Sequence, residues 1–240
     1  MNVESGTANA VPPRSFSEEE QHKTLKKVTF SSFLGNFIEW FDYASYSYLA
    51  TVIALVFFPG EDRFVAVMST FAVFALSFLV RPIGAVFWGN MGDKKGRKWA
   101  LSISILMMSG ATFLIGCLPG YALLGVGAPL LLLALRMVQS FSAAGEYAGA
   151  ATFIAEYAPK NHRGFYCSMV PASTATGLLV GSLFATFMFN TWGATSDFVV
   201  DWGWRIPFLL ALPLGYITHY IRTYLEDSPV YEEMQEHLKQ

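Results

Sequence analysis

Long apolar stretches alternate with short polar ones along nearly the whole chain. Six apolar runs cover residues 29–58, 64–90, 99–118, 129–157, 164–191 and 204–225. Each provides roughly the 20 residues that a helix needs to cross about 30 Å of hydrocarbon at about 1.5 Å per residue. The punctuation between them is turn chemistry: Pro59-Gly60-Glu61-Asp62, then Gly92 to Lys98, Pro119-Gly120, Pro159 to Arg163, and Asp197 to Asp201. The pattern predicts an all-α, polytopic membrane protein of six transmembrane helices. Residues 1–27 are expected to be a disordered cytoplasmic tail, 28–226 the six-helix bundle, and 227–240 the start of a cytoplasmic linker.

The stretch Gly89-Asn90-Met91-Gly92-Asp93-Lys94-Lys95-Gly96-Arg97-Lys98 orients the whole. It puts four cations, one acid and three glycines between two apolar runs. Short loops rich in Lys and Arg stay on the cytoplasmic side. The other expected inner segments hold Lys23, Lys26, Lys27, Lys160, Arg163 and Arg222, whereas the outer ones hold only Arg63 and Arg205. Six spans then leave both termini in the cytoplasm.

Composition sharpens the class. The chain is 53% hydrophobic and 14% charged, against about 25% charged residues in soluble domains. Its net charge of −2 carries no polybasic signal, so nucleic acid is not an expected partner. Cys117 and Cys167 lack metal-ligand spacing and read as small buried hydrophobes. No His-Glu-x-x-His, Gly-x-Ser-x-Gly or P-loop pattern occurs, which argues against an intramembrane enzyme or an ATP-driven pump. No cofactor or metal is implied.

Five ionisable residues fall well inside the runs: Glu39, Asp42, Arg81, Arg136 and Glu146. Each costs about 2.5–3.5 kcal/mol to insert, so such residues face a cavity or one another. Counting from the inner ends, Glu39, Arg81 and Glu146 share a level on the order of 15 Å deep. Asp42 sits slightly further out, and Arg136 reads as nearer the outer face. At about 100° per residue, Asn36, Glu39, Asp42, Tyr43 and Tyr46 form one stripe on the first span, and Arg136, Gln139 and Glu146 share a face of the fourth. Two facing polar stripes predict a shared, water-filled path for substrate and protons. The alternative is buried ion pairs that fix helix packing, with Arg81-Pro82 as a packing device at a kink. Desolvation favours the protonated carboxyl and a nearby guanidinium favours the anion, so an acid balanced between them can load and release a proton. Asp42 and Glu39 are the first candidates for that role, and Glu146 is the third.

The basic turn resembles the signature loop of the major facilitator superfamily of transporters, with Met91 where Leu is usual. Further stretches resemble its metabolite:proton symporter family: Gly35-Asn36-Phe37-Ile38-Glu39-Trp40-Phe41-Asp42-Tyr43, Arg81-Pro82-Ile83-Gly84, Arg136-Met137-Val138-Gln139, Gly145-Glu146-Tyr147, Asp201 to Phe208, and Leu225 to Pro229. The likeness is strongest to bacterial proline/glycine-betaine symporters. Ser140 and Ala144 stand where that family has Gly. The resemblance implies the N-terminal half of a major facilitator fold, built as two inverted three-helix repeats in a bacterial inner membrane. It implies proton-coupled import of a small polar metabolite, best a zwitterionic osmolyte such as proline or glycine betaine. An organic-acid symporter of the 2-oxoglutarate or citrate kind, paired through Arg81 or Arg136, and a non-transporting half-transporter are the alternatives. Trp40, Tyr43 and Tyr46 offer cation–π faces to a quaternary ammonium. The resemblance also implies an inner-face gating network of Gly89, Asp93, Gly96, Arg97, Glu156 and Arg163. It calls for a C-terminal six-helix half as partner, without which the chain is not expected to transport.

Overall fold

The computed structural model describes residues 18–225; the remainder of the expected tail and linker lies outside the described residues. Helices account for every apolar run. The first span is α1 (Glu18–Tyr48) continued by α2 (Ala50–Phe57). The second is α3 (Arg63–Ser77), a short 3₁₀ stretch (Phe78–Val80) and α4 (Arg81–Lys95). The third is α5 (Arg97–Cys117), followed by a one-turn helix α6 (Tyr121–Leu124). The fourth is α7 (Gly127–Ala143) and α8 (Glu146–Tyr157). The fifth is α9 (Arg163–Cys167) and α10 (Met169–Trp192). After α11 (Asp197–Asp201) and a 3₁₀ turn (Gly203–Arg205) comes the sixth, α12 (Ile206–Thr223).

Two boundaries differ from the sequence reading. Residues 18–27, expected as tail, are the opening of α1. Among the described residues, four stretches are long and apolar enough to cross a membrane by length and composition: Arg63–Lys95, Arg97–Cys117, Gly127–Tyr157 and Arg163–Trp192. The first and last spans fall outside that set although both are helical. Glu39 and Asp42 interrupt the apolarity of the first, and His219 and Arg222 that of the last.

Local chemistry accounts for the breaks. Pro82 lacks an N–H and its ring crowds the carbonyl of Phe78 four residues back, so the chain tightens into 3₁₀ geometry before Arg81. In the first span Ser45 Oγ bonds back to the Phe41 carbonyl at 2.7 Å just before the α1–α2 junction, a bond that bends helices. Asp62 caps α3 by accepting from the Phe64 amide at 2.9 Å. Gly96 joins α4 to α5 at φ 98°, a backbone conformation that L side chains avoid.

The packing partners repeat under an exchange of halves. The first span packs on the fifth, sixth and fourth, while the fourth packs on the second, third and first, and the third packs on the sixth. Swapping spans one, two and three for four, five and six maps these pairings onto themselves. Two apolar clusters fill the ends of the bundle. Tyr46, Ile53, Phe57, Leu132, Trp204 and Phe208 pack at the Pro59 end. Val28, Leu101, Phe153, Ile154 and Val170 pack at the basic-turn end. The buried charges lie between them.

Candidate functional site: the buried charge ladder

The acidic stripe on α1 supplies two of three buried acid–guanidinium pairs, and each pair crosses between spans. Glu39 receives Arg81 from the start of α4, Arg81 Nη2 approaching Glu39 Oε1. Arg81 Nη1 donates to the Tyr43 hydroxyl at 2.5 Å, and that hydroxyl donates to Glu39 Oε1 at 3.0 Å. The Glu39 side chain is fully enclosed, whereas Arg81 keeps 25% of its side-chain surface open. The Pro82 break explains the placement, because the tightened turn sets Arg81 at the first position of α4, opposite α1.

One turn further along α1, Asp42 meets α7. Arg136 Nη1 donates to Asp42 Oδ2 at 2.6 Å and to Gln139 Oε1 at 2.7 Å. Gln139 Nε2 returns to the same Asp42 oxygen at 2.6 Å. Arg136 and Gln139 are three residues apart on one helix face, so a single carboxylate oxygen serves both. The Arg136 guanidinium also lies over the Tyr46 ring, 4.0 Å from its centroid. Tyr46 itself is fully buried and donates to the Thr70 carbonyl at 2.8 Å. Asp42 Oδ1 and Arg136 Nη2 are buried without a hydrogen-bond partner among the described residues. Arg136, read from sequence as nearer the outer face, therefore reaches the outermost acid of α1 and stands level with it.

Glu146 does not join the others. The α7–α8 break at Ala144-Gly145 precedes it, and it pairs with Arg222 of α12, Nη2 to Oε1 at 2.5 Å and Nη1 to Oε2 at 3.2 Å. Arg222 also donates to the carbonyls of Leu101 at 2.7 Å and Ser31 at 3.3 Å. One guanidinium thus ties α1, α5, α8 and α12 together. Gly35 makes room for it: a Cβ there would lie 2.7 Å from Arg222 Nη2 and closer still to Glu146 Oε1. The sequence reading counted Arg222 only as an inner-loop cation. The available signal was Thr218 four residues before it, on the same face, and two acids, Glu39 and Glu146, sharing one level with the single cation Arg81.

An open cavity of about 510 Å³ borders this ladder. Trp40 and Tyr43 of α1, Phe74 of α3, Phe78 of the 3₁₀ stretch and Arg81 of α4 line it. Of the stripe residues, Tyr43 and Arg81 reach it directly. Asp42, Arg136 and Gln139 sit behind, packed beneath Phe74 and Tyr46. Phe74 and Phe78 carried no polar signal in the sequence, and only the bend of the second span brings them to the wall.

At the basic-turn end, Arg97 Nε contacts Glu156 Oε1 at 2.7 Å. A second hollow of about 190 Å³, lined by Gly89, Gly92, Gly145, Gly149 and Arg97, opens beside the contacts of α5 with α4 and α8. Asp93 and Arg163 are exposed. Asp93 does not cap α5, whose N-cap Gly96 has no side-chain acceptor. Of the expected network, Arg97 and Glu156 are in contact, Gly96 forms the joint, Gly89 lies in the open, and Arg163 makes no side-chain bond among the described residues.

Comparison with known proteins follows from this geometry. The family profile "Sugar (and other) transporter" matches residues 27–240. The proline/betaine transporter of Salmonella typhimurium is 42% identical over 216 residues, 90% of this chain and 43% of that protein. The glycine betaine/proline/ectoine/pipecolic acid transporter OusA of Dickeya dadantii is 43% identical over the same length and share. The chain spans less than half the length of these curated relatives. Among solved structures, the xylose transporter XylE from E. coli, in a partially occluded inward-open conformation, superposes with a TM-score of 0.71 at 19% identity. That match covers 88% of this chain and 52% of the other, and the likeness is one of fold.

Proposed function

The chain belongs to the sugar (and other) transporter family, and from that premise we propose that it forms half of a proton-coupled carrier importing a small zwitterionic osmolyte such as proline or glycine betaine. Its fold is the N-terminal half of a major facilitator fold, an all-α, multi-pass membrane unit. The substrate class rests on the printed names of relatives sharing 42% and 43% of its residues. A second six-helix half completes the carrier, on the ground that those relatives are more than twice the matched length. On the positive-inside rule the basic turn, and with it both termini, faces the cytoplasm of a bacterial cell.

The observation that carries the coupling is the Asp42 carboxylate, 2.6 Å from both Arg136 and Gln139 and closed off from solvent. Taking a proton there breaks one ion pair and leaves Arg136 a buried cation without its anion, a state that favours the separation of α1 from α7. Glu39 offers a second such acid. Arg97 and Glu156, joined at the basic-turn end, hold one conformation closed, and the hollow beside them gives α8 room to move.

The test is uptake by the full gene product in proteoliposomes. An inward proton gradient is expected to drive accumulation of radiolabelled glycine betaine, with proline competing and 2-oxoglutarate and citrate not. Asp42→Asn is expected to abolish gradient-driven accumulation. Accumulation by that variant with unchanged proton dependence would refute the coupling role, and competition by the dicarboxylates alone would move the carrier to organic acids.

A further inference from the structure

Among the buried pairs, the one at Arg81 differs in a way that bears on substrate recognition. Asp42–Arg136 and Glu146–Arg222 are closed on both sides, with side-chain exposures of 0–2%. In Glu39–Arg81 the acid is fully enclosed and the cation is 25% open, on the wall of the cavity of about 510 Å³. A guanidinium offers donors on two edges. Here one edge is held by Glu39 and the Tyr43 hydroxyl. The guanidinium carbon lies 5.4 Å from the Phe78 ring centre and 5.8 Å from that of Tyr43. Trp40 meets Tyr43 edge to face at 5.6 Å, and Phe74 meets it at 5.4 Å. With Tyr48 also on its wall, the cavity presents one cation among five aromatic rings.

From this geometry we infer that Arg81 is the anchor for the substrate's carboxylate, and that Glu39 occupies it in the substrate's absence. The inference rests on the osmolyte reading and assigns its substrate class: a carboxylate joined to a quaternary or secondary ammonium by a short link. A bare cation is repelled by Arg81. While Glu39 is ionised, Arg81 is neutralised and has little attraction left for a second carboxylate. When Glu39 takes a proton, passed on by the Tyr43 hydroxyl that touches both Glu39 and the cavity, it still accepts a hydrogen bond from Arg81 but no longer cancels the charge of Arg81. The substrate carboxylate then supplies the missing anion, and the ammonium lies against the rings of Trp40, Tyr43 and Phe74. One proton enters with one zwitterion, so the loaded site carries one positive charge more than the empty one, borne by the substrate's ammonium against the rings. The charged and titratable groups facing Glu39 are Arg81 from α4, Tyr43 on its own helix, and Glu146 of α8, itself held by Arg222 of α12. Arg81 is the group whose charge can change hands, because it is the one charged side chain among them that borders the cavity. Tyr43 positions the pair.

The experiment uses the full gene product in proteoliposomes, with radiolabelled glycine betaine as probe and choline as the competitor lacking a carboxylate. Betaine and proline are expected to compete and choline not. Arg81→Lys keeps the charge but loses the fork, and is expected to raise KM on the order of a hundredfold with kcat nearly kept. Glu39→Gln is expected to keep betaine exchange across the membrane, lose gradient-driven accumulation, and show a KM that no longer changes with pH. The double variant Glu39→Gln/Arg81→Gln removes both charges, so its core stays neutral; it is expected to fold, judged by a single size-exclusion peak, yet to bind no betaine. Choline competing as well as betaine, Arg81→Lys lowering kcat without moving KM, or Glu39→Gln keeping the wild-type pH profile of KM would each overturn the inference while leaving the osmolyte reading intact. A wild-type protein that carries no zwitterion at all would remove that reading, and this inference with it.

Discussion

Arg222 and Glu146 face each other fork to fork in the interior, 2.5 Å apart at the shorter contact, each with no more than 1% of its side chain exposed. Neither lies on the open cavity, and the two terminal nitrogens of Arg222 also donate to backbone carbonyls of two further spans. The pair therefore holds the bundle together. Breaking it by Arg222→Met leaves a buried carboxylate unpaired and is expected to cost about 3–5 kcal/mol. Adding Glu146→Gln to that variant is expected to restore more than half of the loss. Thermal unfolding in detergent reads both.

Gly35 is the space that pair occupies. A methyl group there would collide with both partners, so Gly35→Ala is expected to lower stability by about 1–3 kcal/mol through overpacking. The melting temperature of the purified variant checks it, and a wild-type value would show that the α1 backbone can yield.

Gln139 supplies one of the two donors on Asp42, at 2.6 Å. A hydrogen bond to a charged group is worth about 1.5–3 kcal/mol. Gln139→Leu is expected to lose that much in denaturant-dependent unfolding and to weaken proton-driven accumulation, while Gln139→Glu sets a second acid beside Asp42 and is expected to be worse.

The Arg97–Glu156 contact has side chains 33% and 12% exposed, and pairs that meet water contribute about 0–1 kcal/mol. Glu156→Gln is accordingly expected to leave the melting temperature nearly unchanged. On the proposed gating role it alters kcat for uptake with little effect on KM, a split that stopped-flow or initial-rate uptake resolves.

The six helices and the wet or paired fate of the charges were legible from pattern alone, because uninterrupted apolar runs and isolated ionisable residues are strong signals in a membrane chain. The stripes on the first and fourth spans, read as lining a wet path, meet in the structure as a solvent-closed pairing of Asp42 with Arg136 and Gln139, which is the ion-pair alternative. Depth counting was weaker. It set Arg136 apart from Asp42, since it ignores the reach of an extended guanidinium, and it could not see that the break at Ala144-Gly145 hands Glu146 to α12. Arg222 was hidden by its position in the last turn of a span, where a cation ordinarily means a loop. The helical start at residues 18–27 was missed because that stretch is polar, and polarity alone does not distinguish a surface helix from a tail.

Gly177 and Gly181 of α10 lie directly on α1. A Cβ on Gly177 would come within 2.9 Å of the Phe37 carbonyl, and one on Gly181 within 2.5 Å of the Ala44 methyl. With no side chain between them, the two backbones mesh like cogs, and neither slides along the other without a clash. The first and fifth spans therefore travel as one beam that carries Glu39 and Asp42 in a fixed frame. On the proposed coupling role, a stroke that parts those acids from their cations is made by the second and fourth spans swinging away from that beam.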